Sequence, residues 1–177
     1  MSRQLHSERG FTLIEILLVV SIVGVLAAMA VVRLSQAKMA SNEASAIASL
    51  RVINSAEMTF SSSCGGDGYA QSLEALSTPP AATALSFISA DLTTTGVQKS
   101  GYFFTLQADT GAQPVLQAAR TCNTVADSVS VYFAFANPVA YQNSGRRTFA
   151  TDKNATIFQR FDGIPITSGM AGASPIE

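Results

Sequence analysis

The feature that most constrains this chain is an apolar run near its N-terminus. Residues 11–32 read FTLIEILLVVSIVGVLAAMAVV, 22 residues in which only Glu15 carries a charge. As a helix rising about 1.5 Å per residue, the run reaches about 33 Å, enough to cross a bilayer core of about 30 Å. The whole chain has 13% charged residues, well below the roughly 25% usual for soluble domains. We therefore predict a membrane-spanning helix over residues 11–32.

A secretory signal peptide is the alternative interpretation of this run. A basic start, an apolar stretch and the triplet Ala28-Met29-Ala30 resemble the three regions of such a peptide. However, the run is longer than the signal core of about 7 to 15 residues. Residues 33–62 also continue without proline or glycine, which favours one helix that extends past the membrane and ends at Cys64-Gly65-Gly66.

Glu15 is the unusual residue of the run. A carboxylate in an apolar helix costs about 2.5 to 3.5 kcal/mol at the bilayer centre and normally marks a function. The residues three or four positions away, which are its neighbours on a helix, offer no positive side chain: Phe11, Thr12, Leu18 and Val19. A partner must therefore come from elsewhere. The alternative is a carboxylate near the bilayer interface, where charge costs little, with no further role.

Residues 9–15, RGFTLIE, followed by the apolar run, resemble the processing site of type IV pilins and pseudopilins. The resemblance is close over residues 9–62 and only architectural beyond them. It implies that prepilin peptidase cleaves between Gly10 and Phe11 and methylates the new amine of Phe11. It also implies that Glu15 pairs with that amine on a neighbouring subunit. Because an unpaired buried carboxylate is penalised, this pairing would favour assembly in the correct register.

The resemblance also implies a division of the chain and an orientation in the membrane. We expect a leader, a membrane-spanning helix that becomes the filament core, a helix that continues into the head, and a globular head, over residues 1–10, 11–32, 33–63 and 64–177. The positive charges on the two sides of the span nearly balance. The cytoplasmic N-terminus is therefore implied by the leader alone. The precursor would be a single-pass inner-membrane protein, later part of an extracellular or periplasmic filament.

One position departs from the family pattern. Many pilins carry a proline where this chain has Val32, whereas the glycine of the pattern is present at Gly24. A glycine weakens a helix by about 1 kcal/mol and a proline by about 3 kcal/mol. We therefore expect a straighter helix here than in pilins with the proline.

The part of the helix beyond the membrane carries an apolar stripe. Ile47, Leu50, Ile53 and Phe60 fall within one half-turn of a helical wheel, as expected of a helix that packs on a sheet. Glu57 falls in the same arc, and the sequence offers no account of it.

The head is predicted to complete an α+β fold. Four strands are predicted, over residues 101–106, 128–135, 146–151 and 156–161, with a hairpin turn at 152–155. The second strand alternates, and we expect the helix stripe to cover the face with Val129, Val131, Phe133 and Phe135. The result is a roughly four-stranded antiparallel meander on the long helix, the pilin roll that the resemblance also implies. Residues 163–177, rich in Gly, Pro and Ser, are expected to be loosely attached.

The chain has two cysteines, Cys64 and Cys122. A head outside the cytoplasm lies in an oxidising compartment, so we predict a disulfide between them, with two free thiols as the alternative. The pairing is not carried over from the family, whose disulfide often lies nearer the C-terminus.

Several kinds of chemistry are not expected. His6, the only histidine, lies in the leader, so the mature chain has no imidazole for catalysis or metal binding. The spacing of the aspartates matches no calcium loop, and Gly65–Gly68 lacks the lysine of a phosphate loop. We predict no enzyme activity, no catalytic residue, no metal and no cofactor. A few basic and aromatic residues lie around the last hairpin, Arg146, Arg147, Phe149, Lys153, Phe158 and Arg160, but nucleic acid is not an expected partner.

Three functions remain open on sequence grounds. The first is a structural subunit of a type IV pilus-like filament, whose partners are prepilin peptidase, other pilin subunits and the inner-membrane assembly machinery. The second is a pseudopilin of a type II secretion system. The third, of a different class, is a secreted soluble binding protein with an ordinary signal peptide.

Overall fold

The computed structural model describes residues 10–81 and 84–176, without the side chain of Val32. The chain divides into two compact units, which meet between Ala37 and Lys38. A single helix, α1, runs from Leu13 to Ser63 and contributes to both units. Its hydrogen bonding continues unbroken through Gly24 and Val32, as expected for a helix without an internal proline.

The second unit contains the predicted sheet, with more strands than expected. Six strands pair antiparallel in the order β1-β2-β5-β6-β7-β8. A separate hairpin is formed by β3 and β4. The strands are β1 Val97–Lys99, β2 Tyr102–Ala108, β3 Pro114–Leu116, β4 Ser128–Val129, β5 Tyr132–Pro138, β6 Thr148–Asp152, β7 Ile157–Arg160 and β8 Ser174–Pro175. The short helix α2 spans Leu73–Ser77, and a 3₁₀ turn spans Ala118–Arg120.

The predicted four-stranded meander is the centre of this sheet, as β2, β5, β6 and β7. The α+β class is therefore confirmed, and the strand count is corrected from four to six. The predicted strand over residues 128–135 is wrong in one respect, because Ser128 and Val129 pair with β3 and the main sheet begins again at Tyr132. The strands at the two edges, β1 and β8, were not predicted.

The main core lies between one face of the sheet and the second half of α1. Leu50, Ile53 and Phe60 are fully buried there, and Ile47 packs against the same cluster, so the predicted stripe is confirmed. The sheet contributes Tyr102, Phe104, Leu106, Tyr132, Ala134, Ala136, Phe149 and Ile157. Burial of this apolar area, at roughly 25 cal/mol per Å², is the main force that holds the helix on the sheet.

The predicted direction of the second strand is wrong. Tyr132, Ala134 and Ala136 face the helix, whereas Phe133 and Phe135 face the opposite side of the sheet. That side has its own small core, in which Phe133 and Ala150 pack on Ile166, with Phe135, Met170 and Ala173 at its margin. Both faces of β5 are apolar, so the alternation did not identify the face that meets the helix.

The C-terminal segment forms the cover of this second core, and the expectation that it is loosely attached is wrong. Ile166 is 2% exposed. The Thr148 hydroxyl donates to the Ile164 carbonyl at 3.0 Å, and the Ser168 hydroxyl donates to Asp109. The segment then turns back to pair as β8 with β7, and Ile176 N–H donates to the Ile157 carbonyl at 2.8 Å. Its glycines supply the turns, with φ of 84° at Gly169 and 72° at Gly172.

Candidate processing and assembly segment

The predicted cleavage site lies just outside the helix. Gly10, Phe11 and Thr12 have no helical assignment, and α1 begins at Leu13. Thr12 caps the helix, because its hydroxyl oxygen accepts a hydrogen bond from Glu15 N–H at 3.3 Å and its carbonyl accepts from Ile16 N–H at 3.3 Å. The Gly10–Phe11 peptide bond is thus in exposed, non-helical backbone. Residues 1–9, including His6 and most of the leader, lie outside the described residues.

Glu15 lies in the first turn of α1 and is exposed. The partial positive charge of a helix N-terminus favours a carboxylate at this position. Within the residues that the structure describes, Glu15 forms no ion pair. The pairing of this carboxylate with the Phe11 amine of a neighbour stays a prediction.

The first half of α1 presents apolar side chains on all sides. Every described side chain from residue 10 to 38 is exposed; the exposed fraction is 77% for Phe11 and 84% for Leu13. In length and composition, α1 is the one helix among the described residues that is able to span a membrane. A helix that is apolar all round is normally buried in lipid or among other helices.

Comparison with known families decides what this segment is. Residues 5–31 match the prokaryotic N-terminal methylation motif. The chain carries the type IV prepilin signature. The motif implies processing by prepilin peptidase and pilin-type assembly, and together with the apolar helix it indicates that the precursor is inserted in a membrane. Neither the curated proteins nor the solved structures include a significant match to this chain.

At the other end of α1, a disulfide joins Cys64 to Cys122 in the second unit. The two Cα atoms lie 4.8 Å apart, and no free cysteine remains in the described residues. The chain leaves the helix in a tight turn, because a Cβ on Gly65 would collide with the carbonyl of Gly68. The Ser128 hydroxyl donates to the Gly65 carbonyl at 2.6 Å. The helix end is thereby tied to the region that leads into the sheet.

The basic and aromatic residues around the last hairpin do not form a single open surface. Arg147 is bound to Glu43 and Arg160 to Asp162. Phe149 is fully buried, and the guanidinium of Arg147 lies 5.3 Å from the centre of its ring. Two of the expected cations are therefore neutralised, and one of the expected stacking rings is inaccessible.

Two functional contacts were missed at the level of sequence. The Thr12 cap has a recognisable signal, since Thr12-Leu13-Ile14-Glu15 fits the pattern of Ser or Thr followed three residues later by Glu ahead of an apolar run. The contact between Glu43 and Arg147 has no recognisable signal in the sequence, because the two residues are 104 positions apart.

Proposed function

We propose that this chain is a structural subunit of a type IV pilus-like filament. It is made as a precursor, cleaved after Gly10 and methylated on the amine of Phe11. The mature subunits assemble through their apolar helices, and Glu15 pairs with the N-terminal amine of a neighbouring subunit.

The observation that carries the proposal is the combination found at the start of α1. A non-helical Gly10–Phe11 bond stands two residues before a helix whose first half is exposed on all sides, and the exposed carboxylate of Glu15 lies in the first turn of that helix. Filament assembly accounts for all three features. The apolar side chains leave lipid for the filament core, and the carboxylate gains the amine that cleavage creates.

Processing and assembly define the partners and the locations. We infer that prepilin peptidase acts on the precursor in the inner membrane, with the N-terminus in the cytoplasm. The assembly machinery of that membrane then adds the subunit to an extracellular or periplasmic homopolymer. The role is structural, and we assign no catalytic residue, metal or cofactor to it.

A pseudopilin of a type II secretion system is the second candidate, since the signature at residues 5–31 serves both classes. The Cys64–Cys122 disulfide favours a pilus subunit, because a head exposed at the cell surface gains from a covalent cross-link. Electron microscopy of the cell surface separates the two, because a pilus subunit is found in surface filaments and a pseudopilin is not.

The mature N-terminus tests the proposal directly. Mass spectrometry of the membrane-associated protein is expected to show a chain that starts at Phe11 and carries one added methyl group. A chain that starts near Val31 would instead indicate an ordinary signal peptide and a secreted binding protein, and would overturn the proposal. A strain without prepilin peptidase serves as the control and is expected to retain the leader.

A further inference from the structure

Glu57 is the one carboxyl in the described part of the chain that is completely buried. It lies on the face of α1 that packs against the sheet, and its exposed fraction is 0%. One oxygen, Oε2, accepts a hydrogen bond from Ala70 N–H at 2.8 Å. The other, Oε1, is buried and has no hydrogen-bond partner. A charged carboxylate in this position would lack most of the hydrogen bonds that it has in water.

The neighbours of Glu57 do not supply a compensating charge. In the described residues no lysine or arginine forms an ion pair with it. The titratable group that interacts with its charge is Tyr132 from β5, whose pKa is raised by burial, by Glu57 and also by Tyr69 and Asp152. None of these groups is positive, so none of them compensates a negative charge on Glu57.

The nearest polar network is already satisfied without Glu57. The Tyr132 hydroxyl donates to Asn54 Oδ1 at 3.0 Å, and Asn54 Nδ2 donates to Thr151 and to the Ala155 carbonyl. The rings of Tyr69 and Tyr132 pack against each other with centres 5.0 Å apart and planes tilted by 57°. Because Tyr132 has committed its proton to Asn54, it does not stabilise an ionised Glu57.

We propose that Glu57 is a proton-operated switch that makes the stability of the head depend on acidity. The neutral acid fits the core, whereas the ionised form does not. Burial raises the pKa of Glu57 well above 4.5, and the Ala70 N–H opposes this only in part. This property goes beyond the filament role and does not depend on it.

The direction of the effect follows from the proton balance. Below pH 4.5, the ordinary pKa of the group, Glu57 is neutral in the folded and unfolded chains and its effect on stability is complete. As the pH rises, the unfolded chain releases the proton and the folded chain keeps it, so stability falls. The ratio of folded to unfolded chain drops up to about tenfold per pH unit. The loss ends once the pH passes the folded pKa.

Denaturant unfolding of the purified full chain, with its disulfide intact and in non-ionic detergent, tests the proposal. Wild type and Glu57→Gln are compared between about pH 5 and pH 8, since other carboxyls titrate equally in both. As the pH rises, the stability of Glu57→Gln relative to wild type is expected to increase. The increase in the folded-to-unfolded ratio is up to about tenfold per pH unit. Parallel curves over the whole range would overturn the proposal.

The control is Glu74→Gln on α2. Burial raises the pKa of Glu74, but the hydrogen bonds from Thr95 and Ser72 outweigh this and lower it. Its stability contribution is therefore complete above the unfolded pKa and is lost only as the pH falls through the lower folded pKa. Between about pH 5 and pH 8, the stability difference between Glu74→Gln and wild type is expected to stay constant. A shift in the same direction for both variants would show a general charge effect and would overturn the role of Glu57.

Infrared spectroscopy of folded wild type keeps the test independent of how the variants fold. At about pH 6, exposed carboxyls are ionised. Wild type is then expected to show the carbonyl band of one protonated carboxylic acid, which is missing in Glu57→Gln or in the apolar Glu57→Met. Wild type without that band would overturn the proposal.

Discussion

Glu43 on α1 and Arg147, just before β6, form a charged and hydrogen-bonded pair across the head. Arg147 Nε and Nη2 each lie 2.8 Å from Glu43 Oε2. Glu43 Oε1 accepts the backbone N–H groups of Arg146 and Arg147 at 2.8 and 3.3 Å. Arg147 also donates to Gln159 on β7 at 2.7 Å. Glu43 therefore joins the helix to the start of β6, and Arg147 extends the connection to β7.

Replacement of Arg147 by Lys is expected to destabilise the head, because an ammonium cannot reproduce the planar fork that reaches Glu43 and Gln159 together. The loss of a hydrogen bond between charged groups predicts a decrease of about 1.5 to 3 kcal/mol in the free energy of unfolding. Denaturant unfolding measures it. Arg146→Lys is the matched control, because the Arg146 side chain is exposed, and it is expected to change stability by less than about 0.5 kcal/mol. Equal effects of the two substitutions would contradict this role for Arg147.

Glu15→Gln is expected to separate membrane insertion from assembly. The amide keeps the size and polarity of the side chain but removes its charge, so the cost of insertion falls and the attraction to a neighbouring amine is lost. Insertion and cleavage after Gly10 should continue, while filament yield from the variant as the sole copy falls sharply. Ser21→Ala is the control in the same helix, since the Ser21 hydroxyl only donates to the Leu18 carbonyl. Normal filament yield from Glu15→Gln would show that the carboxylate does not determine assembly.

The disulfide is expected to survive in the exported protein. Non-reducing peptide mapping should recover Cys64 joined to Cys122. The bridge closes a loop with a sequence separation of 58, for which the chain-entropy model predicts about 4 kcal/mol of stabilisation. Cys64→Ser, Cys122→Ser and the double variant should therefore lose the same amount of stability. Recovery of two free thiols from surface-exposed protein would contradict the prediction.

Ile166→Ala tests the second core under the C-terminal segment. Removal of a buried isoleucine side chain is expected to cost about 2 to 5 kcal/mol. Ile164 offers a matched control, because its side chain is 51% exposed and its hydrogen bonds to Thr148 and Asp162 are made by its backbone, so Ile164→Ala should cost less than about 0.5 kcal/mol. Thermal unfolding of the two variants distinguishes them. A small effect at Ile166 would mean that the segment does not contribute to the stability of the head.

Sequence reasoning succeeded where periodicity and length were sufficient. The spacing of Leu50, Ile53 and Phe60 identified the buried face of α1, and the absence of proline predicted one continuous helix. The direction of β5 was mispredicted because Phe133 and Tyr132 are both large and apolar, and alternation gives a period but no direction. Phe133 faces away from the helix and packs on Ile166. Ile166 lies 33 positions beyond Phe133, in a segment whose composition suggested a loose tail.

Other contacts depended on tertiary structure. Glu57 had no explanation at the level of sequence, and only the fold shows that it is buried against Ala70 with one unpaired oxygen. Strands as short as β1 and β8 carry too few residues for a periodic signal and exist because a longer neighbour pairs with them. The predictions for Gly10, Phe11 and Glu15 needed only local sequence, because the motif that carries them consists of adjacent residues.

The Cys64–Cys122 bridge also limits how far the head can be stretched. When the head is pulled between its two chain ends, tension that reaches Cys64 passes through the sulfur atoms directly to Cys122. The residues between them, which include α2, β1, β2 and β3, carry no load. At up to about 3.5 Å per residue, the bridge withholds roughly 200 Å of contour length from extension. Reduction of this one bond would release that length, and the head could then extend much further under the same force.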